Sequence, residues 1–247
     1  MTAIRYIERT VLIILLLSAL STSNARGGEY ASRSVIGFST DGRYFAFEQY
    51  GMFDAVDGAY AEIFIIDSEN DSPVPGTPIR KSSVSQRASL AQVRRAARRQ
   101  AQRLLSRLRI TEPGIDLASN PRNELSADPH RVVVNVTYRF AAPDQEPVTL
   151  ILNEKPIASE DCAKQLDIPP KGFTLRLERK GEEPAILHDE QQLPPGRGCP
   201  LSYAISDVYA YDGDEETTLA VLVLYTKRGF EEPDGRYLAV THRLPWP

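Results

Sequence analysis

The stretch Thr218-Leu219-Ala220-Val221-Leu222-Val223-Leu224-Tyr225 carries no charge and is apolar at odd and even positions alike from Leu219 onward. A run of this kind suits a central β-strand covered on both faces. The segments around it alternate instead. In Val132-Val133-Val134-Asn135-Val136-Thr137-Tyr138-Arg139-Phe140 the even positions are apolar, while Asn135, Thr137 and Arg139 face the other way. Phe173-Thr174-Leu175-Arg176-Leu177-Glu178 repeats the pattern. Period two marks half-buried strands of antiparallel sheets. Tyr60 to Ile66, Val148 to Leu152 and Tyr203 to Tyr211 add further candidates. Pro73-Val74-Pro75-Gly76, Pro169-Pro170-Lys171-Gly172, Pro194-Pro195-Gly196 and Asp212-Gly213 supply the turns between them. The expected fold is mainly β (α+β), with antiparallel sheets in a sandwich-like or partial propeller-like arrangement.

One helix interrupts the strands. Ser89-Leu90-Ala91-Gln92 fits a capping box, and Pro113-Gly114 ends the segment. Leu90, Val93, Ala97, Ala101, Leu104 and Leu108 fall at helical spacing, so a long amphipathic helix is predicted near residues 86–109. Its other side carries Arg87, Arg94, Arg95, Arg98, Arg99, Arg103, Arg107 and Arg109. Residues 80–109 hold ten basic and no acidic side chains, whereas the rest of the chain is acidic on balance. Two readings follow. The arginines form a solvated face that partly snorkels over an acidic sheet surface of the same molecule. Alternatively Arg94, Arg95, Arg98 and Arg99 meet an anionic partner such as phospholipid head groups, lipopolysaccharide or an acidic protein.

The first 25 residues bear on that choice. Arg5 and Arg9 precede the apolar run Val11 to Leu20, and Ser23-Asn24-Ala25 places small residues where a signal peptidase reads. Cleavage is expected after Ala25, leaving Arg26 first in an exported domain of residues 26–247. A ten-residue helix rises only about 15 Å, against a hydrocarbon core of roughly 30 Å, so the run is too short to span. The reading is a periplasmic or secreted protein with no transmembrane segment in the mature chain. Nucleic acid is a poor partner there, and no aromatics interleave the arginines to stack bases.

Export changes the reading of Cys162 and Cys199. Two cysteines in an oxidising compartment suggest one disulfide, which in the chain-entropy treatment contributes roughly 4 kcal/mol for a loop of this size. Neither C-x-x-C spacing nor a neighbouring histidine supports a redox or metal site. Asn135-Val136-Thr137 fits a glycosylation pattern, but its alternating context places it inside a strand.

Catalytic constellations are missing. His130, His188 and His242 are far apart in sequence and lie in no metal-binding pattern, and no nucleophile elbow or phosphate-binding glycine loop occurs. Acidic residues gather in three loops: Asp54 with Asp57; Asp67, Glu69 and Asp71; and Asp212, Asp214, Glu215 and Glu216. None has the spacing of a calcium loop. No catalytic residue, metal or cofactor is assigned. The aromatic group Phe38, Tyr44, Phe45, Phe47, Tyr50 and Phe53 reads as core rather than as a sugar platform. The turn in Ser39-Thr40-Asp41-Gly42-Arg43-Tyr44 has a shortened echo in Pro233-Asp234-Gly235-Arg236-Tyr237. The pair suggests a propeller-like unit or, more simply, two hairpin turns in one sheet.

Several motifs together carry a family resemblance. They are Gly37 to Glu48, Val74-Pro75-Gly76-Thr77-Pro78-Ile79, Leu117-Ala118-Ser119-Asn120-Pro121, Glu124 to His130, Lys171-Gly172-Phe173, Leu193 to Pro200 and Gly229 to Val240. In this order they resemble bacterial predicted secreted proteins defined by a domain of unknown function. That resemblance implies one exported domain and brings no catalytic residues. The leading expectation is a non-catalytic protein that binds an envelope component, whether protein, lipid head group or polysaccharide. The alternative is a hydrolase of an envelope polymer working through loop carboxylates.

Overall fold

The computed structural model describes residues 28–53, 56–84, 88–136, 147–213 and 216–245. The expected signal segment with Ala25 and Arg26 lies outside them, as do Asp54, Arg87, residues 137–146, Asp214 and Glu215. The strands are β1 (Ser32–Ser39), β2 (Tyr44–Met52), β3 (Gly58–Asp67), β4 (Ser72–Pro73), β5 (Ile79–Val84), β6 (Ile110–Glu112), β7 (Ile115–Ser119) and β8 (Arg131–Val134). They continue as β9 (Val148–Pro156), β10 (Lys171–Glu178), β11 (Ala185–Asp189), β12 (Pro200–Asp212), β13 (Glu216–Lys227) and β14 (Asp234–Pro245). Helix α1 is Leu90–Arg107 and the short α2 is Glu160–Ala163. Three antiparallel sheets result, none of them closed. The first runs β4-β3-β2-β1-β6 with β5 also on β3, the central one β14-β13-β12-β7 and the outer one β11-β10-β9-β8.

The apolar run of β13 explains how they stack. Leu219, Val221, Val223 and Tyr225 join Leu150, Leu152, Phe173, Leu175 and Leu177 of the outer sheet in one core. Ala220, Leu222 and Leu224 point the other way, into a core with Phe38, Phe45, Phe47 and Tyr60 of the first sheet. A strand with both faces apolar needs a layer on each side, and β13 has both. The expected aromatic core is present here: Phe38, Phe45 and Phe47 are fully buried, and Phe47 stacks on Phe64 with centroids 4.8 Å apart.

The opposite face of the first sheet receives α1. Ala46, Ala59 and Ala61 lie beneath Val93, Ala97, Ala101 and Leu105, so small residues on both sides let the helix sit close. Leu105 is the buried member of the last turn and Leu104 is only partly covered: the covered stripe advances by four residues through Val93, Ala97, Ala101 and Leu105 and so turns by about 40° round the helix at each step. The helix also ends earlier than Pro113 suggests. Arg109 takes a positive φ of 52°, and Ile110–Glu112 leaves as β6 to pair with β1.

Two register shifts re-aim side chains. At Gly37, with φ +141°, β1 bulges against β2, so that Val35 and Phe38 both reach the core shared with the central sheet. In β12 the register shifts between Ile205 and Asp207. Ile205 and Val208 then face the outer sheet while Tyr209 and Tyr211 face the first.

The two Asp-Gly copies do not share a sheet, which corrects the expectation of two hairpin turns in one. Gly42 closes the β1–β2 turn of the first sheet, its N–H donating to the Ser39 carbonyl at 2.8 Å. Asp234 and Gly235 instead begin β14 of the central sheet, where Gly235 exchanges backbone hydrogen bonds with Glu29 and Ala31. The same local chemistry serves a turn in one place and a strand start in the other.

Candidate functional site

The reciprocal bonds of the capping box are present at the start of α1. The Gln92 amide N–H donates to Ser89 Oγ at 3.3 Å, and the Ser89 N–H donates to Gln92 Oε1 at 2.7 Å. From this start the sequence carries six arginines and no acid through Arg107. Their environments divide them.

Arg94 and Arg98, one helical turn apart, both reach Glu48 on β2. The Glu48 carboxylate is fully buried, with Arg94 Nη2 at 2.9 Å and Arg98 Nη2 at 2.8 Å from Oε2. Arg94 Nε donates to Oε1 and Arg98 Nε to Oε2, each at 3.2 Å. The Arg94 guanidinium also lies over the Tyr50 ring, 3.5 Å from its centroid. The hydrogen bond to Glu48 holds its acidity below the ordinary arginine level; that is, its pKa is raised, against an opposing effect of burial. Glu48, Ala91, Arg94, Arg95 and Arg98 line a depression of about 270 Å³. Arg95, Arg99, Arg103 and Arg107 are exposed and make no ion pair with any described residue. Of the four arginines named from sequence, two are therefore tied to the protein's own carboxylate and two stand free of the described residues.

Glu48 was not marked by sequence reasoning. The signal available is its place in β2, where Ala46, Glu48 and Tyr50 share one face, so that a charge sits at an inward position. A second cluster also went unseen. The Arg33 guanidinium of β1 makes a paired contact with Asp207 on β12, through Nε to Oδ2 and through Nη2 to Oδ1 at 2.6 Å. Ser119 Oγ donates to Oδ1 at 3.0 Å and Ser206 Oγ to Oδ2 at 2.8 Å. Burial acts most strongly against the charge of Arg33, but the Asp207 hydrogen bond and the charge of Asp207, with smaller help from Tyr237 and Tyr209, together outweigh it, so the pKa is raised. Burial, with the charges of Asp207 and Asp116, pushes the Tyr209 phenol up to about 12.

Cys162 and Cys199 form a disulfide that joins α2 to the loop before β12, with Cα atoms 5.5 Å apart. The loop acids are engaged locally. Asp67 and Glu69 pair with Arg43, Glu216 with Arg243, and Asp71 Oδ1 accepts from the Thr241 N–H at 2.7 Å. The histidines are less scattered than their sequence positions. His188 Nδ1 lies 3.7 Å from Asp71 Oδ2 and its ring stacks on Phe173. His242 also feels the Asp71 charge, but burial dominates and lowers its pKa. His130 sits elsewhere, with Nε2 3.0 Å from the Tyr203 carbonyl oxygen. Among the described residues no group of three or more His, Cys, Asp or Glu could hold a metal ion. No described helix is long and apolar enough to cross a membrane.

The family described as predicted secreted protein (DUF2259) matches residues 46–243. The chain therefore belongs to this family of secreted proteins with unknown function. No curated protein and no solved structure matches it.

Proposed function

We propose that this secreted protein is a non-catalytic binding protein of the cell envelope, and that the arginine face of α1 holds an anionic envelope component. The observation that carries the reading is the charge imbalance on α1. Of six arginines, only Arg94 and Arg98 reach the buried Glu48 carboxylate, and Arg95, Arg99, Arg103 and Arg107 extend along the exposed side. From Arg95 to Arg107 the helix rises about 18 Å, one arginine per turn or so, so an extended or multivalent anion can meet several at once. A purely structural role needs no such excess. The hydrolase alternative has less support, since Arg43 and Arg243 already neutralise loop acids and the depression beside α1 holds a single carboxylate clamped by two cations.

The test is salt-dependent retention on immobilised dextran sulfate against neutral dextran. The mature protein should bind only the anionic matrix. Changing Arg95, Arg99, Arg103 and Arg107 to Gln should abolish retention at moderate salt without changing the circular dichroism spectrum, because none of the four contacts the core. Equal retention of variant and parent would overturn the assignment to this face.

A further inference from the structure

We infer that the anionic partner is a phospholipid bilayer surface, bound jointly by the arginines of α1 and by an apolar tip on the first sheet. The inference rests on the anion-binding reading above and adds a second, independent observation. At the end of the sheet where β2 turns into β3, three apolar side chains stand in solvent: Met52 at 51%, Val56 at 48% and Val84 at 50% exposure. They share one end of the sheet, with Met52 on the face that α1 covers and Val84, paired one position along β3, on the opposite face. Met52 pairs with Ala59, Gly58 pairs with Val84, and Val56 lies in the connection between Met52 and Gly58.

This tip is continuous with the arginine face. Glu48, Tyr50 and Met52 follow at alternate positions of β2 and so share one face of the sheet. Arg94 clamps the first and covers the ring of the second, which leaves Met52 immediately beyond it, uncovered. Val84 ends the strand that leads into α1. Apolar and cationic groups therefore meet at one end of the sheet, with Met52 on the arginine face.

A soluble acidic polysaccharide would use the arginines and leave the apolar tip without a role. A bilayer uses both: arginines at head-group level and short apolar side chains at the acyl boundary. The buried stripe of α1 takes no part, since Val93, Ala97, Ala101 and Leu105 are already covered by the sheet. The tip inserts and the helix lies over the head groups.

The test is co-sedimentation of the mature chain with phosphatidylcholine vesicles, with and without phosphatidylglycerol. Binding should require phosphatidylglycerol and fall as salt screens the charges. Arg95→Gln with Arg99→Gln should weaken it by roughly tenfold or more. Met52→Ser with Val84→Ser should weaken vesicle binding several-fold and leave dextran sulfate retention unchanged. A Met52→Trp variant should shift its fluorescence to the blue on vesicles and be quenched by brominated acyl chains. Retention on dextran sulfate without vesicle binding would overturn the bilayer inference and leave the anion-binding reading standing. Failure on both would overturn both. Vesicle binding indifferent to the Ser variants and without a Trp shift would overturn the inserted tip.

Discussion

Two buried carboxylates are each held by arginine between layers, and they differ in stoichiometry. Asp207 ties the central sheet to the first with one guanidinium and two hydroxyls, so charge is matched one to one and the acceptor oxygens are filled. Glu48 ties the first sheet to α1 with two guanidiniums and, among the described residues, no hydroxyl. Arg33 keeps about a quarter of its side chain in water, Arg94 and Arg98 about a third or more. A matched pair completes itself and serves the fold. The unmatched one leaves positive charge at the surface beside a row of further arginines, which is the electrostatic basis of the anion binding proposed above.

The largest effect should come from removing both cations of the unmatched cluster. Arg94→Ala with Arg98→Ala strands a fully buried carboxylate, and urea unfolding should show a loss of about 4 kcal/mol. Either change alone should cost only about 1 kcal/mol, because the remaining arginine still pairs with Glu48; additive single losses would break the description of a shared anion. Next comes Asp207→Ala, expected to cost about 3 kcal/mol, since the stranded Arg33 retains some access to water. It should leave dextran sulfate retention untouched. Glu48→Gln should then cost about 1 kcal/mol yet tighten polyanion binding, as two guanidiniums lose their internal counterion. A weaker grip on dextran sulfate after that change would refute the link between unmatched charge and binding.

The smallest effect should be in pH. Burial holds the His242 pKa below its ordinary value of 6.5. The unfolded chain therefore takes up this proton first, and stability should fall as pH drops below about 6.5, until the folded imidazole is protonated too. His242→Gln should flatten denaturation midpoints over that window; an unchanged slope would remove His242 as the source.

Much of this was readable from local pattern. The doubly apolar β13, the alternation of β10 and the capping box each rest on residues adjacent in sequence, and the disulfide rests on count and compartment. The clusters were not readable in the same way. Glu48 stands 46 positions from Arg94, and Asp207 is 174 from Arg33. Asp207 reaches its arginine only because β12 bulges beside Ile205, which reverses the inside-outside phase that strict alternation assigns.

The sequence alone determined the long strands β3, β9, β10, β12 and β13, where the helix begins, which cysteines pair, and that positive charge gathers on one element, because each depends on periodicity, local hydrogen bonding or composition. Only the tertiary structure decided which arginines are neutralised, since that requires a carboxylate delivered from another layer at hydrogen-bond distance. It also decided that Met52 stands exposed beyond Glu48 and Tyr50 on the face that α1 covers. Coulomb and solvation terms act through space, and chain order does not encode which side chains share that space.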